Sequence, residues 1–325
     1  MTAQDYIQTK LDELKQPVHL SKPENTEKLV EAIFASLMSK KFRKYSANDE
    51  LKDYIKNAIQ LNVEKNEPIN VTFLHGAYKL WRLEEAPEAD WAELFSLMYY
   101  SSWVKTVCAL YEPGVWFDFY VDGYIVTRLN NIPDEDIRTY IKSYQSLIDF
   151  LKPYQPSNLK MTITTVGEQF SSEEAFDKSL HSNLEKLTAE TTGGLPELSD
   201  AQRAMVELNT KPTEEQLEDP LWREKVYHLH NAYGATKAEP GYHKGRPEKI
   251  IAFTQPLPNG ATISVGTTKS SIMKFWIGVG VLEPKSDRYK QVIVSPIQLE
   301  NLDFDWEDID IKIEGKNFKR IRVVK

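Results

Sequence analysis

The chain has 325 residues, of which 41% are hydrophobic and 27% are charged, as is ordinary for a water-soluble globular protein. The formal net charge of −8 argues against general nucleic-acid binding, because the release of counterions from phosphates needs a dense basic surface. Cys108 is the single cysteine, so no disulfide can form within the chain and a reducing, cytoplasmic compartment is expected.

The first 65 residues are predicted to form N-terminal helices. Residues 24–42 and 48–61 place apolar side chains at the spacing of one helix face. No apolar run approaches the ~20 residues that span a bilayer, and the first residues lack the apolar core of a secretory signal. No membrane partner is therefore expected.

Residues 66–170 are predicted to form a Rossmann-like α/β core. Short apolar runs rich in β-branched and aromatic residues indicate buried strands, and they lie at 68–74, 115–122 and 159–166. Strands that alternate with helices are typical of a three-layer α/β lobe with a parallel sheet.

Two helices separate these strands. Asp90 is predicted to cap the first helix, with Glu93 three residues later as its capping-box partner. The second helix is expected over 133–152, where three acidic residues occupy the first turn. Residues 124–129, which follow an Asp-Gly turn, are predicted to return as the second strand of a hairpin.

The predicted secondary structure changes in the second half of the sequence. Residues 171–240 are predicted to be a mostly helical segment, and residues 241–325 a β-rich C-terminal region of short strands. His228 and His230 are two apart in this helical segment, so their side chains diverge and form a poor metal pair. Cys108 lies in an apolar helical stretch and is expected in the core.

The segment that follows the first strand carries the first candidate site. Ligands in open α/β sheets bind beyond the carboxyl ends of the strands, and His75, Lys79, Trp81 and Arg82 occupy this position. Lys79 and Arg82 would supply positive charge for a phosphate or a carboxylate. The alternative is a solvated basic loop with tryptophan packing.

The second candidate site lies on the strand "FDFYVDG". Asp118, Tyr120 and Asp122 project from one face of this strand, and Asp122 stands at its end. Two carboxylates there could perform acid–base catalysis or hold an amine. The alternative for Asp122 is a plain Asp-Gly turn.

A third group of candidates lies in the C-terminal region. Arg246 and Lys249 form part of a basic cluster that leads into a strand, where they would bind an anion or simply face solvent. No dinucleotide fingerprint, phosphate-binding loop, nucleophile elbow or zinc-protease motif is present. No metal or organic cofactor is therefore expected.

Taken in order, residues 68–283 resemble the isocyanide (isonitrile) synthase family of pyoverdine and dityrosine biosynthesis. In that family a lysine follows a strand, a helix starts at Pro-Asp-x-x-Glu, and a Tyr-x-Pro-Gly break precedes a strand and a hairpin. The counterparts are Lys79, "EADWAE" and "YEPGVWFDFYVDG", followed by "KIIAFTQP", "ATISVGT" and "MKFWIGVGV".

The resemblance implies an enzyme that condenses the amine of an amino acid, often tyrosine or tryptophan, with the ketone of ribulose 5-phosphate. It implies anion binding by Lys79 and Arg82 and handling of the amine or of protons by Asp122. Arg246, Lys249 and Trp276 would close the pocket. The expected partners are these two small molecules, with no cofactor.

The loop around Lys79 reads "GAYKLW" where the family carries Phe-Pro-x-Lys-Ser, and two further positions also differ from the family pattern. Gln255 and Ile277 stand where the family carries histidines, which removes groups that could transfer protons near neutral pH. Two alternatives therefore stay open: a diverged enzyme of the same fold with another amino-acid-modifying reaction, and a non-catalytic protein that binds a small molecule.

Overall fold

A five-stranded and a four-stranded β-sheet organise the described residues in the computed structural model. The structure describes all residues except 124, 192–193, 243–244, 256–261, 302–305, 311, 314–315, 319–320 and 325, and it does not describe the side chains of 301, 306, 316 and 317.

The central sheet is parallel and has the strand order β3-β2-β1-β4-β5. From β1 the chain first builds outward through β2 and β3, and later returns to the other side of β1. Its strands are β1 (Ile69–His75), β2 (Val115–Val121), β3 (Leu159–Thr165), β4 (Lys249–Phe253) and β5 (Thr262–Ser264). The reversal between β1 and β4 is the point where such folds bind ligands.

Several helices begin where a polar side chain caps them. Thr2, Asn25, Asn48, Asp90 and Ser172 each accept a backbone N–H of the first helical turn, as N-caps do. The helices are α1 (Ala3–Lys15), α2 (Thr26–Leu37), α3 (Asp49–Glu64), α4 (Trp91–Leu110), α5 (Ile125–Asn130), α6 (Asp134–Leu151), α7 (Glu173–Glu190), α8 (Asp200–Asn209), α9 (Glu214–Glu218), α10 (Trp222–Ala238) and α11 (Pro296–Asn301).

The C-terminal region is divided between the central sheet and a second sheet. β4 and β5 extend the central sheet, and the second sheet has the order β7-β6-β11-β8. Its strands are β6 (Val279–Lys285), β7 (Arg288–Val294), β8 (Trp306–Ile309) and β11 (Ile321–Val324), with β9 (Lys312–Ile313) and β10 (Lys316–Asn317) forming a separate pair. The predicted fold class, a Rossmann-like α/β lobe with a β-rich C-terminal region, is confirmed.

The hairpin predicted after β2 is wrong, because residues 125–130 form α5. Both edges of β2 are already paired, with β1 on one side and β3 on the other. A returning antiparallel strand would therefore find no free hydrogen-bonding edge. Gly123, at φ +67°, turns the chain out of the sheet.

Aromatic side chains fill the space between the central sheet and α4. Phe73 and Phe117 lie in this layer against Tyr100, at centroid distances of 4.8 and 5.3 Å. Cys108 is buried, as predicted, and burial raises the pKa of its thiol to about 12. Among the described residues, no helix is both long enough and apolar enough to cross a membrane.

Lys79 lies in a buried ion cluster. Its ammonium is 3.0 Å from Asp90 Oδ1 and 3.1 Å from Glu93 Oε2, and the exposed fraction of the lysine side chain is 0%. Burial alone would lower the pKa of Lys79, but the charges of Asp90 and Glu93 raise it. The ammonium also donates to the carbonyls of Phe275 and Gly278, at 3.0 and 2.8 Å.

This placement does not fit the anion-binding role predicted for Lys79. An ammonium has three N–H donors, and those of Lys79 face acceptors within the protein. The residue instead joins the start of α4 to the segment before β6.

We expect Lys79→Met to lower the free energy of unfolding by about 3–5 kcal/mol, since Asp90 and Glu93 would be left buried without their cation. Urea unfolding followed by circular dichroism measures the change. Lys52→Met is the matched control, because Lys52 pairs with Asp49 at 2.7 Å on the exposed face of α3. Its expected effect is below about 1 kcal/mol, and equal losses in the two variants would contradict a structural role for Lys79.

Candidate functional site

A cavity of about 340 Å³ opens at the carboxyl ends of the central strands. The end of β1 contributes Leu74, His75 and Gly76, the turn after β2 contributes Asp122, and the end of β4 contributes Phe253. The cavity therefore lies at the reversal of strand order, where open α/β sheets bind their ligands.

Helices and one tryptophan complete the wall. α10 lines the cavity along one face, because its lining residues recur at helical spacing; these are Val226, Tyr227, His230, Tyr233, Gly234 and Lys237. α5 contributes Val126, Leu129 and Asn130, α8 contributes Met205, Val206 and Asn209, and the segment before β6 contributes Lys274 and Trp276.

Asp122 is the carboxylate of the cavity. Tyr233 donates its hydroxyl to Asp122 Oδ1 at 2.8 Å, and the Lys237 ammonium donates to the same oxygen. Burial alone would raise the pKa of Asp122, but the charge of Lys237 and these hydrogen bonds outweigh it and hold the pKa below its usual value. Asp122 is therefore ionised at neutral pH.

Lys274 is a cation held by aromatic rings. Its ammonium lies 5.4 Å from the ring centroid of Phe253 and 5.8 Å from that of Trp276, and no described carboxylate pairs with it. Burial lowers its pKa, and the charge of Asp122 offsets only part of this effect. A desolvated cation of this kind favours an anionic ligand.

The two histidines of the cavity are neutral. Burial lowers the pKa of His75 to about 3, and burial also lowers the pKa of His230. Nδ1 of His75 contacts the Gly76 carbonyl, which favours the tautomer with the proton on Nδ1. Nε2 is buried and has no hydrogen-bond partner among the described residues, so it is left as an acceptor.

Gly76 allows Trp276 to lie against the backbone. A Cβ at position 76 would be 2.6 Å from Trp276 Nε1, a contact that would displace the indole. The Trp276 carbonyl accepts the N–H of Leu80 at 2.8 Å. The segment after β1 thus fixes the position of the ring.

Asp118 and Tyr120 belong to a second polar cluster on the sheet. Asp118 is fully buried and accepts the hydroxyls of Thr162, Thr164 and Tyr242, at 2.8, 2.9 and 2.6 Å. Tyr120 stacks on Tyr242 with ring centroids 4.7 Å apart. Neither predicted residue lines the cavity.

Lys249 lies in this second cluster, with its ammonium 3.4 Å from the ring centroid of Tyr242. Burial lowers the pKa of Lys249 to about 8. Arg246 pairs with Glu248 at 3.5 Å on the surface, and neither basic residue lines the cavity.

Arg82 and Trp81 also lie outside the cavity. The Arg82 guanidinium stacks over the Trp81 ring at 4.6 Å and donates to the Glu207 carbonyl at 3.1 Å. Of the predicted site residues, the cavity contains His75, Asp122 and Trp276, whereas it lacks Lys79, Arg82, Trp81, Asp118, Tyr120, Arg246 and Lys249.

Sequence reasoning missed the cationic side of the cavity. Tyr233 and Lys237 are one helical turn apart and meet Asp122 from α10, and His230 precedes them on the same face. The sequence shows the helical spacing of these three residues, but nothing in it indicates that α10 packs against the end of β2. Lys274 carried no local signal. No three described His, Cys, Asp or Glu side chains form a group that could hold a metal ion.

We expect the Lys249 amine to titrate near pH 8, whereas a free lysine peptide titrates at about 10.4. Competitive acetylation across pH, with peptide mass spectrometry, measures the midpoint for Lys249 against a reference lysine peptide. Burial beneath the Tyr242 ring removes water from the Lys249 amine and disfavours its charged form, which lowers the pKa. A midpoint above 10 would contradict burial of this amine.

Comparison with solved structures matches the chain to the crystal structure of the PvcA protein from Pseudomonas aeruginosa, with a TM-score of 0.59 and 18% sequence identity. The match covers 90% of this chain and 99% of the PvcA chain. A scan of protein-family models and a search of curated proteins gave no match. The chain therefore has the fold of PvcA over nearly its whole length.

Proposed function

We propose that this protein is an enzyme of the isocyanide synthase type, which joins the amine of an amino acid to the ketone of a sugar phosphate such as ribulose 5-phosphate. The observation that carries the proposal is the convergence of Asp122, Lys237 and Lys274 on one cavity at the reversal of strand order. The PvcA-like fold and the motif resemblance support it.

Asp122 is suited to receive the substrate amine. An ionised carboxylate in a desolvated cavity attracts an ammonium group and can accept the proton that the ammonium must lose before it attacks a ketone. Imine formation then joins nitrogen to the carbonyl carbon and releases the carbonyl oxygen as water. Tyr233 is the O–H donor and Lys237 the N–H donor beside Asp122. They would protonate the departing oxygen and regain protons, through Asp122, from the nitrogen.

Lys274 is suited to bind the anion. The lining contains two lysines and one ionised aspartate, with both histidines neutral, so the cavity carries an excess positive charge. Lys237 is engaged by Asp122, which leaves Lys274 for the phosphate or the amino acid carboxylate. Burial strengthens this attraction relative to a solvated lysine.

We expect Asp122→Asn to lower the rate of condensation by about 10²–10⁴-fold, since the amide cannot accept the proton. Mass spectrometry of the products from ribulose 5-phosphate and an amino acid measures the rate. Asp49→Asn, the same change on an exposed residue of α3, is the matched control and should leave the rate unchanged.

The same assay separates the alternatives. A product of another mass would indicate a diverged enzyme of this fold. Binding of the sugar phosphate without any product, in wild type and in Asp122→Asn alike, would overturn the enzymatic proposal in favour of a binding protein.

We expect Lys274→Met to weaken ribulose 5-phosphate binding by at least about tenfold, because a charge-assisted hydrogen bond contributes about 1.5–3 kcal/mol. Calorimetry measures the affinity. In wild type, affinity should fall as the pH rises through the lowered pKa of Lys274, before the ordinary lysine value of about 10.4. Lys274→Arg stays charged in this range, so its affinity should not fall, and a parallel fall in both proteins would contradict the assignment.

A further inference from the structure

The cavity is elongated along α10. Its lining residues on this helix run from Val226 to Lys237, eleven positions apart. At 1.5 Å per residue this is about 16.5 Å of helix, longer than the ring side chains of tyrosine and tryptophan. A single ligand that reached from one end of the cavity to the other would therefore be extended rather than compact.

The two ends of the cavity differ in chemistry. Lys237 and Asp122 pair at the end near the carboxyl terminus of α10. At the other end, Val226 packs with Val206 of α8 in a small apolar cluster, and Met205 lies beside Val206 in the lining.

α5 connects these two ends. It follows Asp122 in the chain and contributes Val126 and Leu129 to the lining, one helical turn apart. At its last residue the Asn130 carbonyl accepts the N–H of Lys211, next to the end of α8. The wall thus changes from a charged end to an end where aliphatic side chains lie beside uncharged polar ones.

Polar atoms at the aliphatic end are already hydrogen-bonded within the protein. The Asn209 side chain accepts the Tyr78 hydroxyl at 2.9 Å and donates to the Met205 carbonyl at 2.7 Å. The Tyr227 hydroxyl accepts from Gln202 at 2.6 Å. A buried phenol or indole seeks a hydrogen-bond partner, and each of these groups already has one within the protein, whereas a hydrocarbon chain requires none.

We propose that the cavity selects an amino acid with a long, straight aliphatic side chain. Its ammonium group lies at Asp122, and its chain extends to Met205, Val206 and Val226. This inference rests on the proposed function, because the same carboxylate holds the substrate amine. It differs from the resemblance in the side chain, which is aliphatic rather than aromatic.

The test is a series of straight-chain 2-amino acids from 2-aminobutyrate to 2-aminodecanoate, with tyrosine for comparison and calorimetry as the measurement. Burial of each methylene contributes about 0.8 kcal/mol, which is about a fourfold gain in affinity. Four methylenes, from norleucine to 2-aminodecanoate, should therefore improve the dissociation constant roughly 200-fold. Equal affinities along the series, or tighter binding of tyrosine than of 2-aminodecanoate, would overturn the proposal.

Met205→Trp tests where the chain lies. Met205 has an exposed fraction of 43%, so a larger ring is tolerated by the fold while it narrows the aliphatic end. We expect the gain for 2-aminodecanoate to be lost and the affinity for 2-aminobutyrate to be unchanged. Leu217→Trp, on the exposed helix α9 outside the lining, is the matched control and should change neither.

An equal loss for every chain length in Met205→Trp would place the side chain elsewhere and overturn the proposal. The binding series contains no sugar phosphate, so its outcome is independent of the condensation assay. Condensation of tyrosine alone, with a flat binding series, would leave the proposed function standing and remove only this inference.

Discussion

The buried charge of Lys79 is the constraint on which the candidate site depends. Its ammonium joins the capping carboxylates of α4 to two carbonyls that flank Trp276 in the chain. A cation and two carboxylates removed from water are stable only when their geometry is satisfied. The cluster therefore fixes the segment that carries Lys274 and Trp276 relative to the end of β1, and this segment forms one wall of the cavity.

The cavity separates charge from hydrocarbon, and the separation follows from the helices that build it. α10 carries Tyr233 and Lys237 in its last turns and Val226 in its first turns, so one helix face presents both environments. The sheet supplies Asp122 only at the charged end. For the proposed ligand, a head group and a tail would be recognised by different elements, so substitutions in α5 and α8 would change the side-chain specificity and leave the charged end intact.

The second polar cluster shows why residues on one strand need not share a site. Asp118 and Asp122 are both on or just after β2, but Asp118 lies in the middle of the sheet and Asp122 beyond its end. Interior strands of parallel sheets are covered on both faces, so Asp118 is enclosed and hydrogen-bonded by hydroxyls of β3 and by Tyr242. Lys249 is desolvated there by the same covering ring.

Local chemistry in the sequence determined most of the elements. Apolar runs located β1, β2 and β3, the capping pair Asp90 and Glu93 located the start of α4, and the position of loops after strands pointed to His75 and Asp122. Only the tertiary structure decided that α5 is a helix, because the predicted hairpin needed a free edge of β2, and β1 and β3 already pair with both edges. Tertiary structure also decided the roles of the lysines. Lys79 forms a buried ion cluster with Asp90 and Glu93, and Lys237 and Lys274 are the cations of the cavity. The physical reason is that a charge acquires its role from the groups it meets after folding, and those groups lie far away in the chain, whereas a cap or a strand depends on its immediate neighbours.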